Sequence, residues 1–194
     1  MGSKREIVFI TTNSHKVKEI KDLAESESRN ITIVHRNYEY PELQLEEIEE
    51  VVKESANYII REKIAIKNSF FIEDSGLFIH ALHGFPGPFS AFVFKKIGNE
   101  GILNLMADKK GEERKATFKT AVAFCESQKE EPVIFLGTVE GRIAEEIRGS
   151  HGFGYDPIFE FEGRTFAEMS TEEKNRVSHR SRAFRKLLGY LSWI

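Results

Sequence analysis

Residues 69–90, SFFIEDSGLFIHALHGFPGPFS, constrain the fold more than any other stretch. Phe70, Phe71 and Ile72 have the length and aromatic content of a buried strand. Glu73 and Asp74 interrupt the run, and Ser75-Gly76 follows, a pair that punctuates strand ends because glycine tolerates backbone angles closed to other residues. The reading is a strand that stops at a carboxylate pair. In open α/β sheets ligands collect beyond the carboxyl ends of strands, so such a pair is placed to hold a metal ion or activate a water. A solvated acidic turn has the same composition. Gly84, Pro86, Gly87 and Pro88, crowded around Phe85, point to a shaped loop.

The chain leading to this stretch alternates strand and helix. Ile7 to Thr12 reads as a buried strand, followed by the polar knot Thr11-Thr12-Asn13-Ser14 and a helix from His15 to about Ala24, with Val17, Ile20, Leu23 and Ala24 at helical spacing. Strand, polar turn and helix N-terminus is an arrangement that binds phosphate, because unpaired backbone N–H groups point outward at the positive helix end; Lys16 would add charge. An ordinary helix start capped by Asn13 or Ser14 fits equally well. No Walker glycine pattern is present. Ile31 to Val34 reads as a second strand. An extended Tyr38–Gln44 then leads into an amphipathic helix over about 46–67, and Glu42, beside Pro41, is a carboxylate that can be held and aimed.

Beyond the central stretch, residues 89–97 and 99–106 read as two helices broken at Gly98. Strands follow at 116–124 and 133–139, the second continuing past a bend at Gly141. In GSHGFGYDP, residues 149–157, three glycines let backbone approach a ligand while Phe153 offers a flat face and Asp156 an acceptor, which suits a nucleobase. A glycine-rich hairpin with a phenylalanine plug is the plainer reading. Ser170 to Glu173 is a capping box opening a short helix that contains Lys174, and Ser178-His179-Arg180 opens the last helix.

The 194 residues suffice for one domain with a real core, and no apolar run approaches the roughly 20 residues of a membrane span. The lone Cys125 excludes an intrachain disulfide and suits a reducing, cytoplasmic compartment. A net charge of -3 hides an asymmetry: residues 38–54 carry seven acids and one lysine, whereas residues 174–194 carry six Lys or Arg and no acid. That split suits a metal-bearing wall facing a phosphate-bearing one. It also leaves open nucleic-acid binding through Arg176, Arg180, Arg182, Arg185 and Lys186, which at helical spacing more often form a solvated face.

Four segments, TTNSHKVKE, EDSGLFIHALHGFPGPFS, GSHGFGYDPIF and FAEMSTEEKNRVSHR, match in order and spacing those of the inosine triphosphate pyrophosphatase family, and they span residues 11–180. The chain resembles that family. The resemblance implies a single α/β domain of two lobes, a long mixed β-sheet flanked by helices with the substrate cleft between the lobes, and a cytoplasmic homodimer binding neither nucleic acid nor membrane. It implies Mg²⁺-dependent hydrolysis of ITP, dITP and XTP to the nucleoside monophosphate and pyrophosphate. By the same resemblance Thr11, Thr12, Asn13, Ser14, His15 and Lys16 form the triphosphate turn, Glu42 holds the metal, and Asp74 is metal ligand, general base or both. Ser75 contacts substrate, Phe153, Gly154, Tyr155 and Asp156 hold the base, Lys174 meets phosphate or sugar, and His179 and Arg180 read the purine 6-oxo edge. Two departures stand out. Thr12 occupies a position usually held by glycine, and Ala91 a position where some members carry lysine, so that charge would come from Lys95 or Lys96. A Maf-like pyrophosphatase, lacking the GFGYDP and SHR segments, and a non-catalytic purine-nucleotide-binding module are the alternatives.

Overall fold

The computed structural model describes residues 4–27, 30–62, 64, 69–126 and 131–193. Strand β1 (Arg5–Ile10) passes through a short turn into helix α1 (Ser14–Glu27), and β2 (Ile31–Arg36) pairs parallel with β1. Asn13 starts the helix, its Oδ1 accepting from the backbone N–H of His15 and Lys16 at 3.0 and 3.3 Å. Helix α2 (Ile48–Arg61) is shorter than the periodicity predicts. Its expected first turn is still extended at Glu47, and of its expected last turns residues 63 and 65–67 lie outside the described residues. Its apolar stripe, Ile48, Val51, Val52, Ala56 and Ile59, is buried.

The central strand corrects the sequence reading. Strand β3 (Phe70–Ile79) does not stop at the carboxylates but runs through Glu73, Asp74, Ser75 and Gly76. The cause is β5 (Lys115–Cys125), which pairs antiparallel with β3 from Phe70 opposite Cys125 to Ile79 opposite Ala116, so ladder hydrogen bonding overrides the local turn preference of Ser-Gly. On its other edge β3 changes partner. β1 pairs with Phe70 and Phe71, β4 (Pro86–Gly87) pairs with Leu77 and Phe78, and no described strand lies against residues 72–76 between them. The sheet therefore opens along the stretch that carries the carboxylates.

Strand β6 (Val133–Ile143) follows β5 antiparallel without a break at Gly141, and β7 (Phe159–Phe161) and β8 (Arg164–Thr165) extend the sheet. The described residues form a mixed eight-stranded sheet ordered β2-β1-β3-β5-β6-β7-β8, with β4 beside β3. Helix α3 (Ser90–Leu105) is interrupted at Gly98, whose φ of 61° and ψ of -163° separate the two expected helical pieces. Helices α4 (Thr171–Val177) and α5 (His179–Leu191) begin at the expected caps, Ser170 and Ser178. Among the described residues no helix is long and apolar enough to cross a membrane.

Three apolar clusters form the core. Phe9, Ile20, Leu23, Phe71, Phe184 and Leu187 join α1 and α5 to one sheet face; Ile10, Val52, Ile59, Phe70, Ile72 and the buried Cys125 join α2 to the other. Leu77, Ile79, Phe118, Phe159 and Phe166 form a third around the far half of β3. The contact of α5 with the sheet is backbone-close at Gly137, where an added Cβ would fall on the His179 carbonyl and the Ala183 amide. Substituting Gly137→Ala is expected to cost about 1–3 kcal/mol through overpacking and to lower Tm by several degrees in a thermal melt; an unchanged Tm would show that α5 does not sit on β6 as described.

Candidate active site

The gap along β3 opens into a cavity of about 590 Å³ between the α1–β1 turn, β3, the first half of α3 and the loop before β7. Of the sequence-predicted site residues it brings together Thr11, Thr12, Asn13, His15, Lys16, Glu42, Asp74, Ser75, Phe153, Gly154, Tyr155, Asp156, Lys174, His179 and Arg180. Ser14, on the first turn of α1, is not among its lining residues. Of the lysines weighed against Ala91, Lys95 lines the cavity, one helical turn on, while Lys96 lies over the Phe92 ring.

Strand alternation separates the two adjacent carboxylates. Side chains of neighbouring strand residues point to opposite faces. Glu73 joins the α1–α5 face with Phe71 and Ser75, whereas Asp74 joins the α2 face with Phe70 and Ile72. Glu73 is fully buried among cations: Lys16 Nζ lies 2.9 Å from one carboxylate oxygen, and Arg180 Nε and Ser75 Oγ lie 3.4 and 3.0 Å from the other. Burial alone would raise its pKa, but Arg180 and Lys16 outweigh burial and hold it below the usual glutamate value. Lys16 also donates to the Glu73 carbonyl at 3.3 Å, and so meets a backbone acceptor beside the open edge.

These contacts belong to a longer alternation of charge. Asp156 accepts from Lys174 at 2.6 Å, Lys174 donates to Glu19 at 2.7 Å, and Glu19 pairs with Arg180. Arg180 leads to Glu73, Glu73 to Lys16, and Lys16 Nζ lies 3.7 Å from Asp74. Four carboxyls thus alternate with three cations, leaving one negative charge uncancelled. Burial opposes ionisation throughout, yet Glu19 is held below its ordinary pKa by Arg180 and Lys174, and Lys16 is raised by Glu73 and Asp74.

Burial raises both terminal carboxyls, Asp156 against its Lys174 partner and Asp74 with only the more distant Lys16. Burial, with Glu42 and Glu73 adding to it against Lys16, pushes the Asp74 carboxyl up to about 6. Glu42 stands on the exposed, extended approach to α2, and that approach is anchored where Ser55 Oγ donates to the Pro41 carbonyl at 3.3 Å. Tyr40 lines the same end; burial, with Glu42, Asp74 and Glu73 nearby, keeps its phenol protonated well above the ordinary value. Two carboxylates short of positive charge make a donor set for a hard cation.

At the other end stands Phe153. His15 stacks on its ring with centroids 5.1 Å apart, and Lys174 Nζ and Arg180 Cζ lie 5.1 and 5.4 Å from its centroid. Asp156 does not present an open acceptor to a base: it is buried and accepts from Lys174 and from the Phe153 N–H at 2.8 Å. Lys174 and Arg180 are likewise buried in ion pairs rather than extended into the cavity, and Ser75 Oγ bonds Glu73, Thr120 and Arg180. His179 stacks on Phe118 with centroids 4.4 Å apart; burial and the surrounding cations push its pKa far down, so the imidazole is neutral. Tyr155 donates to the Ser90 carbonyl at 3.2 Å.

Within the basic C-terminal segment Arg176, Arg182 and Lys186 are exposed, while several of its side chains also meet internal acceptors. Arg180 is buried, Arg182 donates to the Thr138 carbonyl, Arg185 pairs with Glu27 and donates to two carbonyls, and Lys186 donates to the Leu136 carbonyl. Sequence reasoning missed Glu19, Tyr38 and Tyr40. Glu19 had a signal, since it follows Lys16 by three and precedes Leu23 by four on one helix face; the tyrosines alternate with Glu42 along an extended segment.

Compared with known proteins, residues 7–190 match the model of the Ham1 family. A Methanosarcina mazei protein named dITP/XTP pyrophosphatase is 45% identical over 97% of this chain and 96% of its own. One of the same name from Thermococcus kodakarensis is 45% identical over 95% and 96%. Among solved structures, a HAM1 protein from Coxiella burnetii superposes with a TM-score of 0.81 at 30% identity, covering 98% of this chain and all of that one.

The ion chain predicts a stability cost at Glu19, the carboxylate shared by two buried cations. Glu19→Ala leaves Lys174 and Arg180 each short of a buried partner, and is expected to destabilise the fold by about 3–5 kcal/mol. Urea unfolding measures it; a loss under about 1 kcal/mol would mean the pairs are not buried as described.

Proposed function

The chain belongs to the Ham1 family, and from that membership and the geometry of the cavity we propose that it hydrolyses non-canonical purine nucleoside triphosphates, dITP, XTP and ITP, to the nucleoside monophosphate and pyrophosphate. The observation that carries this reading is the polarity of one cavity. Its Asp74 end sets a carboxyl raised by burial beside Glu42 and the α1 turn, and its other end holds the Phe153 ring over buried cations.

In this reading the triphosphate lies on the α1 turn, where backbone N–H groups at the helix N-terminus and Lys16 meet phosphate oxygens. Glu42 and Asp74 would hold Mg²⁺, whose hard-cation chemistry neutralises phosphate charge when bound. Asp74, with a proton affinity near neutrality, is suited to take the proton of a water attacking in line with the departing pyrophosphate. The base stacks at Phe153, displacing His15 from that ring. Arg180, fixed by Glu19 and Glu73 beside the Phe153 ring, would turn its donor from Ser75 to a 6-oxo group, whereas the 6-amino donor of adenine would leave it unmatched, at about 1–3 kcal/mol. A cytoplasmic homodimer completes the proposal.

A panel of dITP, XTP, ITP, GTP, ATP and pyrimidine triphosphates with Mg²⁺, resolving pyrophosphate from orthophosphate, tests the reaction. Pyrophosphate from dITP and XTP well above ATP is expected; orthophosphate with a diphosphate product would overturn the reading.

Asp74 yields two further expectations. Its native pKa is raised above the unfolded value, so the ionised carboxylate costs stability as pH rises through about 6, and Asp74→Asn removes that cost. The variant should therefore lose turnover while its Tm at pH 8 holds or rises; near-normal turnover, or a fall in Tm, would refute the assignment. In the wild type kcat/KM should fall as pH drops through about 6, and the midpoint should move lower as Mg²⁺ is raised, because metal and proton compete for one carboxylate. A midpoint indifferent to Mg²⁺ would contradict that competition.

A further inference from the structure

The segment carrying Phe153 is held by both halves of α3, the first lining the cavity and the second lying behind it, and we infer that Asn99 is a positioning residue for base recognition, acting through the Gly154 carbonyl. The contact is direct: Asn99 Nδ2 donates to Gly154 O at 3.1 Å. It depends on two unusual backbone conformations. Gly154 has φ of 63°, which turns the backbone after Phe153, and an added Cβ there would meet nothing within 4 Å, so the glycine serves a conformation rather than a close approach. Gly98 has φ of 61° and ψ of -163°, which breaks α3 and restarts it at Asn99.

The break allows one helix to grasp consecutive loop residues. The first half of α3 holds Tyr155, whose hydroxyl donates to Ser90 O at 3.2 Å and whose ring meets Phe94 edge-on at 5.2 Å. The second half holds Gly154 through Asn99. On the preceding residue, the Phe153 N–H is fixed by Asp156 at 2.8 Å. The ring expected to stack on the base is thus bracketed by a carboxylate belonging to the ion chain and by an amide belonging to α3.

Asn99 is not placed there for stability alone. Asn99 is half-buried, and its one observed side-chain bond is the one to Gly154 O. A polar side chain whose one observed bond is made to the loop that bears the stacking ring is placed for a positioning role. Asn99 does not line the cavity and touches no expected substrate atom, so its effect must fall on the base-binding end and leave the phosphate end alone.

The test compares Asn99→Leu and Asn99→Asp with the wild type, using XTP and dITP as substrates and tripolyphosphate as a phosphate-only inhibitor. Leucine removes the donor and keeps a side chain of similar size, so Tm should change by no more than a few degrees. KM for XTP and dITP should increase about three- to tenfold, the worth of one hydrogen bond, with kcat within about twofold and tripolyphosphate inhibition unchanged. Aspartate sets a carboxylate against the Gly154 carbonyl and should raise KM further. Unchanged KM in both variants, or equal loss toward nucleotide and tripolyphosphate, would overturn the inference. The inference rests on the proposed reaction: a wild type inert toward XTP and dITP would refute that reading, and this one with it, whereas an active wild type with indifferent variants would refute this one alone.

Discussion

The ion pair between Glu73 and Arg180, 3.4 Å apart in the interior, is the constraint on which the rest of the site depends. Glu73 lies in the middle of a strand, on the one stretch of β3 edge that no described strand covers, and without cations its carboxylate would be costly to keep ionised in the interior. Arg180 arrives from α5 and Lys16 from α1, so meeting that one charge ties two helices to the central strand. Each cation then requires further partners. Arg180 takes Glu19, Glu19 takes Lys174, and Lys174 takes Asp156, which fixes the Phe153 N–H. The conformation of the aromatic loop is in this way a consequence of a charge placed on β3.

Such a chain contributes little net stability compared with an apolar core of the same shape, since desolvation offsets much of the attraction. Its physical effect is registry. Helix α1 carries His15, Lys16 and Glu19 within about one turn, and these touch the aromatic ring, the buried Glu73 of β3 and the buried arginine respectively. A ligand spanning the cavity meets groups whose separation is set by one rigid helix and one strand. Asp74, the end of the chain with only the more distant Lys16, stands next to Glu42, where a cation or a proton is drawn.

Much of this was legible in the chain because it is local. The β1–turn–α1 unit follows from a β-branched run, a polar knot with Asn13 as cap, and helical spacing of Val17, Ile20 and Leu23. The break of α3 at Gly98 and the caps at Ser170 and Ser178 follow from single residues. What escaped is tertiary. The strand end read at Glu73-Asp74 was overruled by the β5 ladder, and only with β3 continuous does alternation send those two carboxylates to opposite faces. Asp156, Lys174 and Arg180 were legible as site residues but not as partners of one another, because the partner that joins two of them, Glu19, looks like an ordinary helix glutamate until α4 and α5 close over it.

The central claim is that this registry sets an incoming water at Asp74 against the innermost phosphate while pyrophosphate departs. Turnover of dITP in ¹⁸O-labelled water, with both products examined by mass spectrometry, tests it most directly. The account predicts label in the nucleoside monophosphate and none in the pyrophosphate; label appearing in pyrophosphate, or in orthophosphate, would contradict it.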